Sequence, residues 1–559
     1  MILRGCPISI ELFKRKKPFS KEAIGLFFNL LVQSKTSMNE GIEKSGKVTF
    51  RDYQQHQILL LPPSLEELIG PKNLVRVVNE FIDRIDVKVL EQGYKGGGAS
   101  NYHPKMMLKV LIYAYSTKLY SCRRIDQALC ENIHFMWLSG MQRPDFRTIN
   151  NFRSGTLKPL IEEIFGGLLS LLVEDGYVKL ENYFVDGTKL QADANRHTAV
   201  WAKNTKRYKE KLQIKVKELL AQIDQENQRE DEQYGDKQNE TEGQDSLLTS
   251  EQIAQRADQL NEILIQTNDK KSKKKKLGMQ RKLRVAAQKM DHYEKQQQVL
   301  AGRNSYSKTD RDAVFMRMKD GQFLPAYNVI QGTENQFIIN YTLSQSSGES
   351  HLLKGHLQQL HSRMGKLPEN IIGDAAYGSE ENYAYLTDQS SIAYLKYTGY
   401  YHEQTGKHKE NRFHRDNFPY DSATDSFTCP NGKQLIQKSK TTEIRPGGYE
   451  RTTLSYESTD CSECSLANSC KKQDQERRQF SFSPAWDKYK QQARERLSTE
   501  KGCELKKQRS VDVESSFGDI KYNQGYSRFR LRGLKKVNIE WGLIAISHNL
   551  RKVALQRAA

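Results

Sequence analysis

Three acidic residues carry the chemistry that can be read from this chain: Asp186 in Phe184-Val185-Asp186-Gly187-Thr188-Lys189, Asp374 in Ile371-Ile372-Gly373-Asp374-Ala375-Ala376-Tyr377, and Glu514 in Val513-Glu514-Ser515-Ser516-Phe517-Gly518-Asp519-Ile520-Lys521. Each aspartate follows apolar residues and precedes small ones. An acid ending a buried strand is held rigidly at a sheet edge, and Gly187, Ala375 and Ala376 leave space beside it for cations and a phosphate. Brought together, the three would form an oxygen cage for two divalent cations ~3.5–4 Å apart, an arrangement that cuts phosphodiesters. Any single strand-end Asp more often caps a turn, so the weight lies on the set. Glu514 reads as helical, and Lys521 falls roughly two turns along the same face, where it could hold a phosphate. Asp512 and Asp519 compete for the place of third acid, with an ordinary charged surface helix as the plain alternative. The reading keeps Glu514 and leaves Asp193, Asp512 and Asp519 outside the site.

The rest of the composition suits a polyanionic partner. A chain of 559 residues is too long for one core, so roughly two to four domains are expected. Lys and Arg number 87 against 68 Asp and Glu, a net charge of +19 that favours nucleic acid through counterion release and steering. No stretch approaches the ~18–20 apolar residues of a membrane span. The basic run Lys14-Arg15-Lys16-Lys17 precedes an apolar run, Ala23 to Val32, but no small-residue cleavage site follows it. Eight cysteines in so long a chain make no disulfide scaffold and suit a reducing cytosol.

The elements that must position the acids follow from periodicity. Residues 59–172 read as helical, with a capping box at Ser64-Leu65-Glu66-Glu67 and helices at Leu74 to Ile82, Pro104 to Tyr115 and Cys122 to Leu138. Asp145 caps a short helix carrying Arg147, Asn150, Asn151 and Arg153, which is similar to the second helix of a helix-turn-helix; two core helices joined by a turn explain it as well. Strand patterns begin at Tyr183 to Val185 and resume at Ala313 to Lys319, Ala326 to Gln331, Gln336 to Leu343, Asn370 to Gly373 and Ile392 to Tyr397. With helices at Leu352 to Met364 and Leu534 to Leu550, this alternation predicts a mixed α/β sheet. Between the first strand and the rest, Leu212, Val216, Leu219, Ile223 and Ile253, Ala257, Leu260, Leu264 step as in a coiled coil and predict an antiparallel helical hairpin. The lysine run at 270–276 reads as a solvated linker after it.

Together, Val-Asp-Gly-Thr-Lys, Gly-Asp-Ala-Ala-Tyr-Gly-Ser and the late Glu514 with Lys521, followed by Arg532-Gly533 and Asn549-Leu550, resemble the DDE transposases of bacterial insertion sequences. The likeness runs from about Phe50 to Val553 and includes Leu60 to Leu68. It implies an RNase H-like core in which Asp186, Asp374 and Glu514 hold two Mg²⁺, with Mn²⁺ able to substitute. Such an enzyme cleaves element ends and joins the freed 3′-hydroxyl to target DNA. The resemblance further implies double-stranded DNA as partner, both terminal inverted repeats and target, a homodimer in the synaptic complex, and a cytoplasmic, nucleoid-associated bacterial protein. Relatives often place an Arg four residues before the Glu. Here that position is Ser510, so either neighbouring Arg509 serves or the feature is lacking. A catalytically inactive DNA-binding derivative and an RNase H-like nuclease without strand transfer are the alternatives, and the intact acidic set argues against the first.

Cys429, Cys461, Cys464 and Cys470 could supply four thiolates to one structural Zn²⁺, a pattern also found in this transposase branch. His402, His408 and His414 are substitute ligands, although isolated histidines are more often surface residues. Arg528, Arg530 and Arg532, with Arg147 and Arg153 of the N-terminal region, are the candidate DNA contacts beside Lys521. The expected organisation is a tail at 1–49 outside the family, with Met38 as the true start, and a helical DNA-binding domain at 50–175. An RNase H-like core follows in three parts, 176–202, 301–398 and 501–559. It is split by a helical insertion at 203–300 and by a small β-rich, cysteine-bearing one at 399–500.

Overall fold

The computed structural model describes residues 64–86, 101–234, 247–266, 270–445 and 447–559. The tail at 1–49 and the proposed start at Met38 lie outside the described residues. Described residues from Ser64 onward form one compact unit.

The N-terminal part is helical: α1 (Leu74–Arg84), α2 (Pro104–Ser116), α3 (Cys122–Glu131), α4 (Ile133–Ser139), α5 (Phe146–Asn151) and α6 (Ile161–Glu174). Ser64 Oγ does accept from the Glu67 amide at 3.3 Å, but residues 65–68 form turns, and the first helix starts only where the Asn73 side chain caps α1. The single helix expected at Cys122 to Leu138 divides at Asn132. Its extended backbone ends α3, and its side chain accepts from the His134 amide to start α4. Asp145 caps α5 as read, accepting from the Thr148 amide at 2.8 Å.

The central sheet contains β1 (Asn182–Gln191), β4 (Val314–Arg317), β5 (Phe323–Glu334), β6 (Phe337–Ser344), β7 (Asn370–Gly373) and β8 (Ile392–Leu395); β2 (Ala199–Trp201) and β3 (Ser305–Ser307) pair separately. The order is β6-β5-β1-β7-β8, with β4 on the early part of β5. β1 runs antiparallel to β5 and parallel to β7, and β7 runs parallel to β8. Asp186 pairs with Gln331, and Phe184 with Ile372 two residues before Asp374, so the register sets the two aspartates side by side where β7 ends; β1 does not end at Asp186 as expected but runs on to Gln191, paired with β5. The entry into β1 is fastened by one side chain: Glu334 accepts from the backbone N–H groups of Lys179, Leu180, Glu181 and Asn182 at 2.7–3.0 Å.

The helical hairpin expected between β1 and the rest of the sheet is instead three helices, α7 (Ala202–Tyr234), α8 (Ser250–Gln266) and α9 (Lys270–Leu300), around Val216, Ile223, Ile253, Leu260, Leu283 and Met290. The lysine run opens α9 and is no linker. Lysine is a good helix former, and the helix leaves Lys270, Lys271, Lys273, Lys274 and Lys275 exposed while it buries Lys276. After α10 (Leu353–Met364) and α11 (Glu380–Asp388), the cysteine-bearing segment forms a five-stranded antiparallel sheet, β9 to β13: Tyr420–Asp421, Ser426–Thr428, Gln434–Ile444, Glu450–Ser458 and Gln479–Phe482. The chain ends in α12 (Pro484–Ser498), α13 (Glu500–Arg509), an irregular helical stretch and α14 (Leu534–Ala558).

α14 joins the halves of the core. Trp541 is fully buried, and the Asn549 amide exchanges two 2.8 Å hydrogen bonds with the backbone of Ile338 on β6. At Gly542 a Cβ would stand 2.4 Å from Ile161 and 2.6 Å from the Tyr341 hydroxyl, so only glycine lets the helix pack this closely on α6 and β6.

Candidate active site

Asp186 lies within β1 and Asp374 directly after β7. In each, one carboxylate oxygen is anchored on a nearby backbone N–H, Gly187 for Asp186 and Ala376 for Asp374, both at 2.9 Å. Burial pushes the Asp186 carboxyl up to about 6; the Gly187 amide and Arg509 pull the other way, and the neighbouring Asp374 and Glu349 add to the rise.

Glu514 approaches from the other side. Between α13 and α14 the chain winds as a π-helical turn (Ser510–Glu514), a short α-turn (Ser515–Gly518) and a second π-helical turn (Asp519–Asn523). The wider turn places Arg509 over Glu514, with Arg509 Nη2 2.6 Å from Glu514 Oε1 and Arg509 Nη1 3.7 Å from Asp186 Oδ2. The guanidinium therefore links two of the three acids. Buried Ser516, on the same stretch, accepts from the Gln331 amide at 2.6 Å and ties this helix to the strand opposite Asp186.

Lys521 reaches β1: its ammonium donates to the Thr188 hydroxyl and, at 3.2 Å, to the Lys189 carbonyl. Burial and then Lys319 press its pKa down to about 8, against the pull of Asp186. The other nearby acids are engaged elsewhere. Asp193 pairs with Arg528 and Arg532; Asp512 is buried against Thr333 and the Gln336 amide; Asp519 holds His548 and Arg551.

An open groove of ≈ 410 Å³ runs beside Asp374, lined among others by Lys396, Tyr401 and Arg509. Tyr401 is exposed, and the Lys396 ammonium sits 5.3 Å from its ring centre. These residues gave no signal in the sequence, because they lie on the segment after β8 and meet Asp374 only in the fold. Glu349, before α10, was missed for the same reason. Its carboxyl fills the space that Gly187 was expected to leave for phosphate, since a Cβ on Gly187 would stand 2.5 Å from it.

Arg153 is not a DNA contact. It is 6% exposed and donates to the Tyr115 hydroxyl, the Tyr120 carbonyl and Asn150 inside the helical region, because its position on the helix faces the core. Arg147 and Arg530 are exposed, while Arg528 and Arg532 are about half exposed with Asp193 between them.

Cys429, Cys461, Cys464 and Cys470 are unbridged and line one cavity of ≈ 20 Å³. Burial raises the Cys470 thiol, and the other three thiols raise it further. The histidines form a separate cluster: the His402 and His408 rings are 5.1 Å apart, and those of His408 and His414 4.3 Å. Among the described residues, His408, His414 and Asp416 bring three possible ligand atoms within 4.8 Å of one another. None of the three lines the thiol cavity.

Two stretches of the chain match known families. Residues 63–155 match the Transposase domain (DUF772) family, and residues 428–554 match the Transposase DDE domain family. The two matches support a DDE transposase of insertion-sequence type. They take in the helical N-terminal region and the stretch from the cysteines through Glu514 to α14. No curated protein and no solved structure matches the chain significantly. Asp186 and Asp374 lie between the two matched stretches. No helix among the described residues is long and apolar enough to cross a membrane.

Proposed function

We propose that this transposase cleaves the ends of its element and joins the freed 3′-hydroxyl to target DNA at a site made of Asp186, Asp374 and Glu514. One observation carries the reading: Asp186 on β1 and Asp374 at the end of the parallel neighbour β7 share a sheet end with Glu514, linked through Arg509. The strand order β6-β5-β1-β7-β8, with β1 antiparallel to β5 and parallel to β7, supports an RNase H-like core.

The donor set fits divalent cations. The carboxylates are hard oxygen donors, one oxygen of each Asp is fixed by backbone, and burial with like charge makes ionised Asp186 costly unless positive charge is shared. Asp186, Asp374 and Glu514 would hold Mg²⁺, which would supply Lewis acidity at the scissile phosphate. The protein's own groups bind and align. Lys521, fixed on Thr188, presents a positive charge beside Asp186, and Arg509 is placed to release Glu514 or to meet a phosphate oxygen. The groove with Lys396 and Tyr401 offers a charged and an aromatic contact to the strand entering beside Asp374. Arg528, Arg530, Arg532 and Arg147 supply further phosphate contacts on the surface. A zinc ion held by Cys429, Cys461, Cys464 and Cys470 would brace the β9–β13 sheet, which has only a small apolar core around Leu435 and Tyr456. Joining two element ends requires two active sites, so a homodimer is the expected acting form.

Strand transfer of a labelled terminal-repeat duplex into plasmid, with Mg²⁺, tests the reading. Integration products made by the wild type and abolished in Asp374→Ala support it. Nicks without joining would replace it with a simple nuclease, and metal-independent binding without cutting with a DNA-binding derivative.

A further inference from the structure

Glu349 lies between β6 and α10, outside every motif in the sequence, yet its carboxyl group rests against the backbone next to Asp186. A Cβ on Gly187 would stand 2.5 Å from both Cδ and Oε1 of Glu349. The backbone of Gly187 does not have the positive φ that calls for glycine, and a glycine inside a strand weakens it. Room for the Glu349 carboxyl is the reason for glycine here. The same carboxyl is close enough to Asp374 and Asp186 for their negative charges to repel. Lys189 is the cation acting on it.

Two fully buried side chains face this carboxyl: Asn328 on β5 and Tyr377, three residues beyond Asp374. Both lower the Glu349 carboxyl as hydrogen-bonding neighbours, yet neither reaches full hydrogen-bond geometry: both polar atoms of the Asn328 amide and the Tyr377 hydroxyl are buried without a complete partner. Buried polar atoms are kept in this condition only where another group completes them. Carboxylate and amide oxygens are the hard donors a divalent cation takes.

We propose that Glu349 is a fourth carboxylate of the active site, holding a divalent cation together with Asp374 and Asp186, with Asn328 and Tyr377 orienting it. This rests on the active-site reading above. The residue thus belongs to the cation site itself and is not merely packed behind it.

The test is Mn²⁺ binding to the full-length chain, followed by electron paramagnetic resonance, for wild type, Glu349→Gln and Asp374→Asn, with circular dichroism melting as the check on folding. Glu349→Gln is expected to weaken Mn²⁺ binding by at least about tenfold, as Asp374→Asn does. It should melt no lower than the metal-free wild type, because a repelling charge has been removed. If Glu349→Gln binds like wild type while Asp374→Asn does not, the proposal fails and the three-acid reading stands. If the wild type binds no Mn²⁺, both fail. Should Glu349→Gln not fold, Fe²⁺ with ascorbate and peroxide on the wild-type chain cuts backbone near bound iron. Cuts close to residues 186, 374 and 349 are expected; cuts at the first two without the third overturn the assignment of Glu349.

Discussion

Arg509 stands five residues before Glu514 and binds it at 2.6 Å across a π-helical turn, with Asp186 on the guanidinium's other side. An α-helix would align Glu514 with Ser510, four residues before it. The π turn carries one residue more, so Arg509 takes that place. Inserting a residue in this way also tilts the helix end towards the sheet, where Ser516 meets Gln331.

Arg509→Ala is therefore expected to lower strand transfer about 10²-fold, the usual cost of losing one preorganised donor. The swapped pair Arg509→Ser with Ser510→Arg should do no better, because the arginine would then point off the π turn. Quantified integration products check both. Recovery in the swapped protein would show that the turn reverts to α-helix in the working enzyme.

How far the sequence could be read follows from such details. The two aspartates announced themselves, because apolar residues, an acid and small residues form a local pattern; only Asp374 ends its strand as read, since β1 continues past Asp186 to Gln191. Arg509 did not, since a four-residue rule was applied to a five-residue turn, and nothing local to Ser510–Glu514 declares a π-helix. Glu349, Lys396 and Tyr401 reach the site only through tertiary packing. Arg153 failed oppositely: on a helix carrying Arg147 it looked like a surface cation, but its side chain points at Tyr115 and Tyr120. The third helix of the 203–300 region was hidden because its lysines read as solvent-facing linker.

That contrast separates two kinds of arginine. Arg153→Met should cost about 1–3 kcal/mol of stability in urea unfolding, as expected when buried acceptors lose their donor, while leaving the salt dependence of DNA binding unchanged below the unfolding range. Arg528→Ala with Arg532→Ala should leave stability nearly intact. It should flatten the slope of log K against log salt by about 0.9 for each phosphate that is no longer neutralised. An unchanged slope would show that these two serve only Asp193.

Lys521 gives the site a pH dependence. Its pKa, pressed from 10.5 to about 8 chiefly by burial, means that the ammonium discharges as pH rises through 8, so its grip on phosphate is expected to fade between pH 8 and 9. Folding responds in the reverse sense. The unfolded chain holds this proton up to 10.5, so between pH 8 and 10.5 the unfolded state binds more protons and Lys521 makes the fold more stable as pH rises. DNA-binding curves at pH 7, 8 and 9 for wild type and Lys521→Met check the first expectation. Only the wild type should weaken across that range by more than the background change.

The four thiols around the ≈ 20 Å³ cavity imply about one Zn²⁺ per chain by elemental analysis of protein prepared without chelator. Removing it, or introducing Cys464→Ser, should expose the amides of β10 to β12 to hydrogen exchange while those of β1 and β7 stay protected, because the β9–β13 sheet has its own small core. Protein that holds no zinc and exchanges slowly in β10 to β12 would show that aromatic packing of Phe427, Tyr456 and Phe480 suffices.

Glu334 decides how firmly Asp186 is placed. Four consecutive backbone N–H groups, from Lys179 to Asn182, end on its two carboxylate oxygens, and the residue is 4% exposed. Glutamine keeps the shape but turns an NH₂ group towards two of those donors, so donors face donors in a buried place. Glu334→Gln is expected to cost about 2–4 kcal/mol in urea unfolding, and Glu334→Ala at least as much. Asn182 pairs with Asn370, and Phe184 with Ile372, so loosening this entry also loosens the parallel register that sets Asp186 beside Asp374. Strand transfer by Glu334→Gln should therefore fall even at temperatures where the protein remains folded, whereas a distant core change of equal stability cost, such as Leu435→Ala, should leave it unaltered. Equal activity in the two would mean that the β5 pairing alone fixes Asp186 and that the Glu334 clasp serves stability only.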